Sequence, residues 1–167
     1  DGIRDRDVTG VQTCALPILN WCVSHRAHSY LIVHAAVLER HGRAVLLPAP
    51  PGSGKSTLCA ALVMRGWRLL SDEMTLVSLD NGTVLPLPRP VSLKNQSIGV
   101  IRAFAPDAVL STPVEKTAKG TIAHLKAPTE SIARAAEPAR PAFIRSEEHT
   151  SELQSHHDLV CRLLLEK

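Results

Sequence analysis

Aromatic side chains are scarce in this chain: one Tyr, two Phe and two Trp among 167 residues. That is too few for the stacked-base platform on which single-stranded nucleic acids are held. Cysteine is scarce too, with four in the chain. No apolar run reaches the roughly 20 residues that a helix needs to span a bilayer. Neither sign of charge dominates, with 19 Lys and Arg against 16 Asp and Glu and a formal net charge of +3. The basic residues are scattered and form no run. A mildly basic surface suits an anionic small ligand and does not point to DNA or RNA. No nucleic-acid partner and no membrane partner are therefore expected.

The two ends differ from the middle. Residues 145–155 read RSEEHTSELQS, which resembles the translation of a widely used short-read sequencing adapter, and residues 159–165 match its continuation in the same frame. Residues 9–18, TGVQTCALPI, resemble the opposite strand of that adapter in another frame. Residues 1–18 and 145–167 are accordingly set apart as adapter-derived segments and left out of fold reasoning. Residues 19–144 remain as the expected fragment of one domain, truncated at both ends. Of the cysteines, Cys22 and Cys59 stay in that span. They have neither metal nor redox spacing. They are expected to be buried, unpaired thiols in a reducing cytoplasm.

What the middle does contain is the run Ala49-Pro50-Pro51-Gly52-Ser53-Gly54-Lys55-Ser56-Thr57. It follows the apolar stretch Ala44-Val45-Leu46-Leu47 and precedes apolar residues at helical spacing, Leu58, Ala61, Leu62 and Val63. Strand, glycine-rich turn, then Lys and a hydroxyl at a helix start is the context of a phosphate-binding P-loop. Successive backbone N–H groups and the positive helix end hold phosphate oxygens there. Gly52 and Gly54 let the backbone turn around an anion, together with Pro51 and Ser53. Lys55 reaches the outer phosphates. Ser56, or less favourably Thr57, offers a hydroxyl to Mg²⁺. Ala49 stands where the motif has its first glycine; if that position needed a positive φ, alanine would cost on the order of 1 kcal/mol. The cofactors expected are ATP and Mg²⁺.

The periodicity predicts an α/β fold with a mixed sheet. A helix is expected over 19–29, then an apolar strand or strand pair over 30–38 that turns at His41-Gly42 into the strand before the loop. The helix over 56–65 ends at Gly66. A strand over 67–73 completes a βαβ unit, placing it parallel and adjacent to the P-loop strand. Residues 74–79 continue as a strand to a tight turn at Asp80-Asn81-Gly82. Residues 84–90 are extended, 98–104 form a short helix, 105–120 a loop, 121–125 a strand and 130–136 a helix, with 138–141 irregular.

Asp72-Glu73 would then lie beside the phosphates, at the carboxyl end of a parallel neighbour. One acid can hold Mg²⁺ while the other accepts a proton from an attacking hydroxyl. A solvated strand end is the bland alternative. His34, within the apolar strand, reads either as a neutral core histidine or as a site residue. Lys94, Arg102, Lys116 and Lys119 are candidates to touch transferred phosphate, or else solvated charges.

His34, Gly42, the 48–57 segment, Arg65-Gly66-Trp67, Leu70-Ser71-Asp72-Glu73, Arg89-Pro90-Val91-Ser92-Leu93-Lys94-Asn95 and Thr117-Ala118-Lys119-Gly120-Thr121 together resemble the HPr serine kinase/phosphorylase family. The resemblance is closer to its HPr-kinase-related branch found beside exosortase systems, and covers nearly all of 19–144. It implies a kinase domain similar to phosphoenolpyruvate carboxykinase in fold. The implied activity is transfer of the γ-phosphoryl of Mg-ATP to a hydroxyl of an unknown protein acceptor. By position it makes Asp72 the general base, Glu73, with Ser56, a metal-side residue and His34 a neighbour of the transferred phosphate. It also implies a homo-oligomer. Pro51 and Glu73 depart from the family pattern. A nucleotide-binding regulatory module without catalysis and a small-metabolite P-loop kinase stand as alternatives.

Overall fold

The computed structural model describes residues 18, 20–23, 25 and 27–145. Of the two adapter-like segments, all but Ile18 and Arg145 lies outside the described residues. Asn20–Val23 and His25 are helical and lead into the first strand.

The apolar, β-branched run forms β1 (Tyr30–Arg40). His41 and Gly42 both take positive φ, 54° and 77°, the pairing that a two-residue hairpin turn demands. β2 (Arg43–Pro48) returns antiparallel, in register from Arg40 opposite Arg43 to Ala35 opposite Pro48. α1 (Lys55–Met64) follows the 49–54 loop. It ends as the sequence predicts: Gly66 has φ 82°, its N–H reaches the Val63 carbonyl and that of Trp67 reaches Leu62. This is the Schellman closure that frees a helix from its last unpaired carbonyls.

β3 (Arg68–Ser71) and β4 (Met74–Ser78) are two pieces of one strand course, broken at Asp72-Glu73. Both run antiparallel to β1 along its second edge, β4 against residues 30–34 and β3 against 37–39. β3 is therefore parallel to β2 in direction but is not its neighbour, because β1 lies between them. This corrects the expected adjacent βαβ pair. The parallel neighbour of β2 is instead β9 (Arg140–Ile144), in a stretch expected to be irregular. Pro141 misled the reading. A proline lacks the ladder N–H and is tolerated at an edge, and the ladder slips by one residue just after it. β5 (Val84–Leu85) completes the large sheet, in the order β5-β4-β1-β2-β9 with β3 on β1.

β6 (Val91–Lys94), α2 (Gln96–Phe104), β7 (Val114–Thr117), β8 (Gly120–Leu125) and α3 (Thr129–Ala133) follow. β6, β8 and β7 make a second, three-stranded sheet. β7 falls where a loop was expected; its four residues carry two charges and only one apolar side chain, so no apolar alternation marked it. The α/β class with a mixed sheet holds.

Period-two alternation sorts the core. Ala36, Leu38, Leu47 and Leu69 face one cluster, filled by Leu58, Cys59 and Val63 of α1 with residues of β6, α2 and β8. Ala35, Val37, Ala44, Leu46 and Leu70 face the other, closed by Val84 and Ala139. Each fully buried Leu or Val contributes roughly 1.5–3 kcal/mol. Burial pushes the Cys59 thiol well up, whereas Cys22 is exposed, contrary to expectation. Among the described residues no helix is long and apolar enough to cross a membrane.

One polar cluster joins the layers. Arg68 pairs with Glu39 at 2.5 Å, both at most 4% exposed. The Arg68 guanidinium also donates to the Arg134 and Glu137 carbonyls, and the Gly42 N–H donates to Glu39. Removing one partner of a buried pair strands the other charge, at about 3–5 kcal/mol. Arg68→Met is therefore expected to lower unfolding free energy by about that much in urea titrations. A loss below about 1 kcal/mol would mean that Glu39 regains water.

Candidate functional site

Three chain segments meet at the middle of β1. On one edge, Ala35 pairs with Pro48, so β2 ends there and the 49–54 loop begins. On the other edge the ladder runs from Val37 opposite Ser71 to His34 opposite Met74, and Asp72-Glu73 drop out of pairing between them. The Ser71 hydroxyl donates to the Met74 carbonyl and stitches the gap.

The loop turns on its glycines. Gly52 and Gly54 have φ 89° and 87°, in the left-handed region that other residues enter only at a cost. A Cβ on Gly52 would meet nothing within 4 Å, so backbone conformation is what favours glycine there. Ala49 is not among the residues with positive φ. The departure from the motif's first glycine therefore carries no strain. Gly54 stands at the N-cap of α1, where no side chain among the described residues caps the helix and no acid occupies its first turn. The first N–H groups of α1 and the positive end of its dipole are thus left for an anion.

Lys55 opens α1 and is 7% exposed. Its ammonium, which can only donate, lies 2.8 Å from Nε2 of His34. His34 is thus held unprotonated at Nε2. Partial loss of hydration lowers the His34 pKa, helped by the Lys55 charge, with Glu73 and Asp72 opposing. His34 is exposed at the site, so the core-histidine reading is set aside. Burial also lowers the Lys55 pKa, with Asp72 and Glu73 opposing and Lys94 adding to the fall.

Asp72 is 8% exposed. Its Oδ2 accepts the Ser92 N–H at 3.1 Å, and its Oδ1 is buried with no partner. Burial raises its pKa; the Ser92 amide, the Ser56 hydroxyl and the Lys55 charge pull it back. Glu73 is half-buried, and its Oε2 accepts from the Asn20 amide at 3.2 Å.

His34, Lys55, Ser56, Asp72 and Glu73 thus come together. Of the basic candidates, Lys94 is the one whose charge bears on Lys55. Arg102, Lys116 and Lys119 are exposed, on α2 and on the β7–β8 hairpin. Asn20, Arg89 and Ser92 were not assigned to the site from sequence. Arg89 and Ser92 lie in a stretch noted for its resemblance, without a role; nothing distinguished Asn20. Ser53 carries a buried hydroxyl without a partner in the loop, while Pro51 is exposed.

No curated protein and no solved structure matches the chain. One family model does, that of the SynChlorMet cassette protein ScmC, over residues 4–100. The matched span takes in β1, the 49–54 loop, Asp72-Glu73 and β6. This overturns the expected membership of the HPr serine kinase/phosphorylase family. The residues that suggested it are short segments, the glycine loop with its lysine and the pair of acids chief among them, and such segments can be shared by families that differ elsewhere. With more than half of its length matched, the chain belongs to the SynChlorMet cassette protein ScmC family.

Proposed function

We propose that the protein binds ATP through residues 51–57 and transfers its γ-phosphoryl to a hydroxyl-bearing acceptor, with Asp72 as general base. The observation that carries this reading is the convergence of a buried lysine and a buried, half-satisfied carboxylate at an uncapped helix start. A generic surface loop would not bury Lys55 and Asp72 so close to one another.

The chemistry assigns each group a task. The first N–H groups of α1 hold phosphate oxygens, and Lys55 leaves His34 to neutralise the outer phosphates. The acceptor oxygen attacks the γ-phosphorus as the bond to the β-phosphate oxygen breaks, so ADP departs. The hydroxyl proton passes to Asp72 as general base. His34, next to Lys55, is placed to hydrogen-bond the group in transfer.

The donor set suits magnesium. It takes oxygen ligands from one or two carboxylates, with phosphates and water completing the shell. Asp72 Oδ1 has no other partner, the Ser56 hydroxyl acts on the same carboxylate, and Glu73 is next in the chain. Among the described residues no cluster of three His, Cys, Asp or Glu forms a protein-only metal cage. Bound there, Mg²⁺ would supply charge neutralisation on the phosphates.

Lys55→Ala is expected to weaken ATP binding about 10- to 100-fold, the loss of one charge-assisted hydrogen bond. Unchanged affinity by calorimetry would refute the loop assignment. Asp72→Asn is expected to keep Mg²⁺-free nucleotide binding while labelled-phosphate transfer falls by about 10²–10⁴. Full transfer by that variant would remove Asp72 as base. If wild-type protein binds ATP but transfers phosphate to no protein or metabolite in an acceptor screen, the regulatory-module reading replaces catalysis.

The pH dependence has a defined sign. The folded pKa of Asp72 lies above its ordinary 3.8, and a cation at Oδ1 favours the deprotonated form. Mg-nucleotide binding should therefore tighten as pH rises above 3.8 through the raised pKa, with proton release on binding. In the free protein, the lowered His34 pKa means that its stabilising contribution is present above 6.5 and lost as pH falls through the folded value. Binding isotherms in buffers of different ionisation enthalpy measure the proton release; affinity that does not change with pH would contradict it.

A further inference from the structure

Glu73 is not a free carboxylate. Asn20, in the helical segment before β1, donates its Nδ2 to Glu73 Oε2 at 3.2 Å. Arg89, in the stretch before β6, donates Nη1 to Asn20 Oδ1 at 2.7 Å. The two contacts agree on the orientation of the amide, since a guanidinium can only donate and a carboxylate can only accept. Arg89 is half-buried, and burial lowers its pKa while the Glu73 and Asp72 charges oppose that fall. Among the described residues of the helical segment, Ile18 and Trp21 are exposed, at 64% and 61%. A polar contact of this segment runs to the acid pair.

We propose that Arg89 and Asn20 form a positioning relay for Glu73. Asn20 commits one carboxylate oxygen, and the remaining oxygen is thereby fixed toward the cation that accompanies the nucleotide. The relay rests on the Mg-ATP reading of the same site. Neither Asn20 nor Arg89 touches the nucleotide in it; both act through Glu73. Partners of this kind orient a metal-side ligand, and their loss typically costs 10–100-fold in metal affinity.

The test titrates MgCl₂ into full-length protein with a fluorescent ATP analogue, and measures analogue affinity without Mg²⁺ in parallel. Asn20→Leu and Arg89→Ala are each expected to raise the Mg²⁺ concentration for half-maximal binding about tenfold. Mg²⁺-free affinity should stay at the wild-type level, which also reports that the variants fold. Arg89→Lys, which keeps the charge but not the planar fork, should fall between. Glu73→Gln should raise the Mg²⁺ requirement by itself. Adding Asn20→Leu to it should change nothing further, because the relay then has no target. Additive effects in that double variant, or a wild-type Mg²⁺ requirement in Asn20→Leu, would overturn the relay while leaving the ATP reading intact. A fall in Mg²⁺-free affinity for Arg89→Ala would put Arg89 on the nucleotide itself and likewise overturn it. Absence of any Mg²⁺-dependent binding by wild-type protein would overturn both.

Discussion

The acid pair of the site takes its position from a break in one ladder. β1 is paired on both edges, yet at Ala35-Ala36 its second edge loses its partner. His34 lies opposite Met74 and Val37 opposite Ser71, one register across the gap, which slips by one residue just beyond it at Leu38 opposite Leu69. Asp72 and Glu73 are thus lifted out of a strand course that otherwise continues. A ladder break leaves backbone groups without their usual partners, and buried ones must be satisfied elsewhere. Part of the repair is visible in the Ser71 hydroxyl on the Met74 carbonyl, while the Asp72 side chain, out of the strand course, accepts the Ser92 N–H. The second of these ties the acid to the smaller sheet. The two alanines are fully buried, one in each core cluster, so the floor beneath the gap is short and close-packed.

The electrostatics of this arrangement are unbalanced without a ligand. Burial moves the Lys55 pKa down and the Asp72 pKa up, both toward the neutral form. Each charge partly compensates the other, but Asp72 Oδ1 is left without a hydrogen bond. Lys55 meanwhile rests on an imidazole, a neutral acceptor. A ligand that brings an anion to Lys55 and a cation to Asp72 relieves both strains at once. A magnesium nucleotide has that dual character, which supports the proposed function over that of a purely anionic or purely cationic ligand. The buried Glu39–Arg68 pair shows the contrast: its charges are matched, and the guanidinium also reaches two carbonyls. That pair reads as structure.

Local order explains what could be read in advance. The β1–β2 hairpin, the glycine loop, the start and Schellman stop of α1, and the acids at a strand end follow from short-range patterns. Turn residues, a helix-start lysine and a closing glycine act within a few positions of themselves. The errors lie in what pairs with what. Strand insertion of β1 between β2 and β3, and the parallel seat of β9, depend on contacts between distant segments and leave no mark in local composition. The same holds for Asn20, which meets Glu73 across 53 positions. The family expectation failed for a related reason. It was built on short segments spread over residues 34–121, whereas the family model of the SynChlorMet cassette protein matches residues 4–100.

The intervening strand also accounts for His34. Neighbouring strands lie about 4.8 Å apart, so β2 and β3, separated by β1, end roughly 10 Å from one another. Adjacent strands would bring the loop and the acids within about 5 Å, with no third segment between them. Because β1 is antiparallel to both, its first half continues past their carboxyl ends. Residues just before Ala35 therefore stand over the gap, and His34 is the first of them. The histidine that contacts Lys55 is thus a consequence of the strand order that the sequence did not reveal. A βαβ pair of adjacent strands would have left the lysine without it.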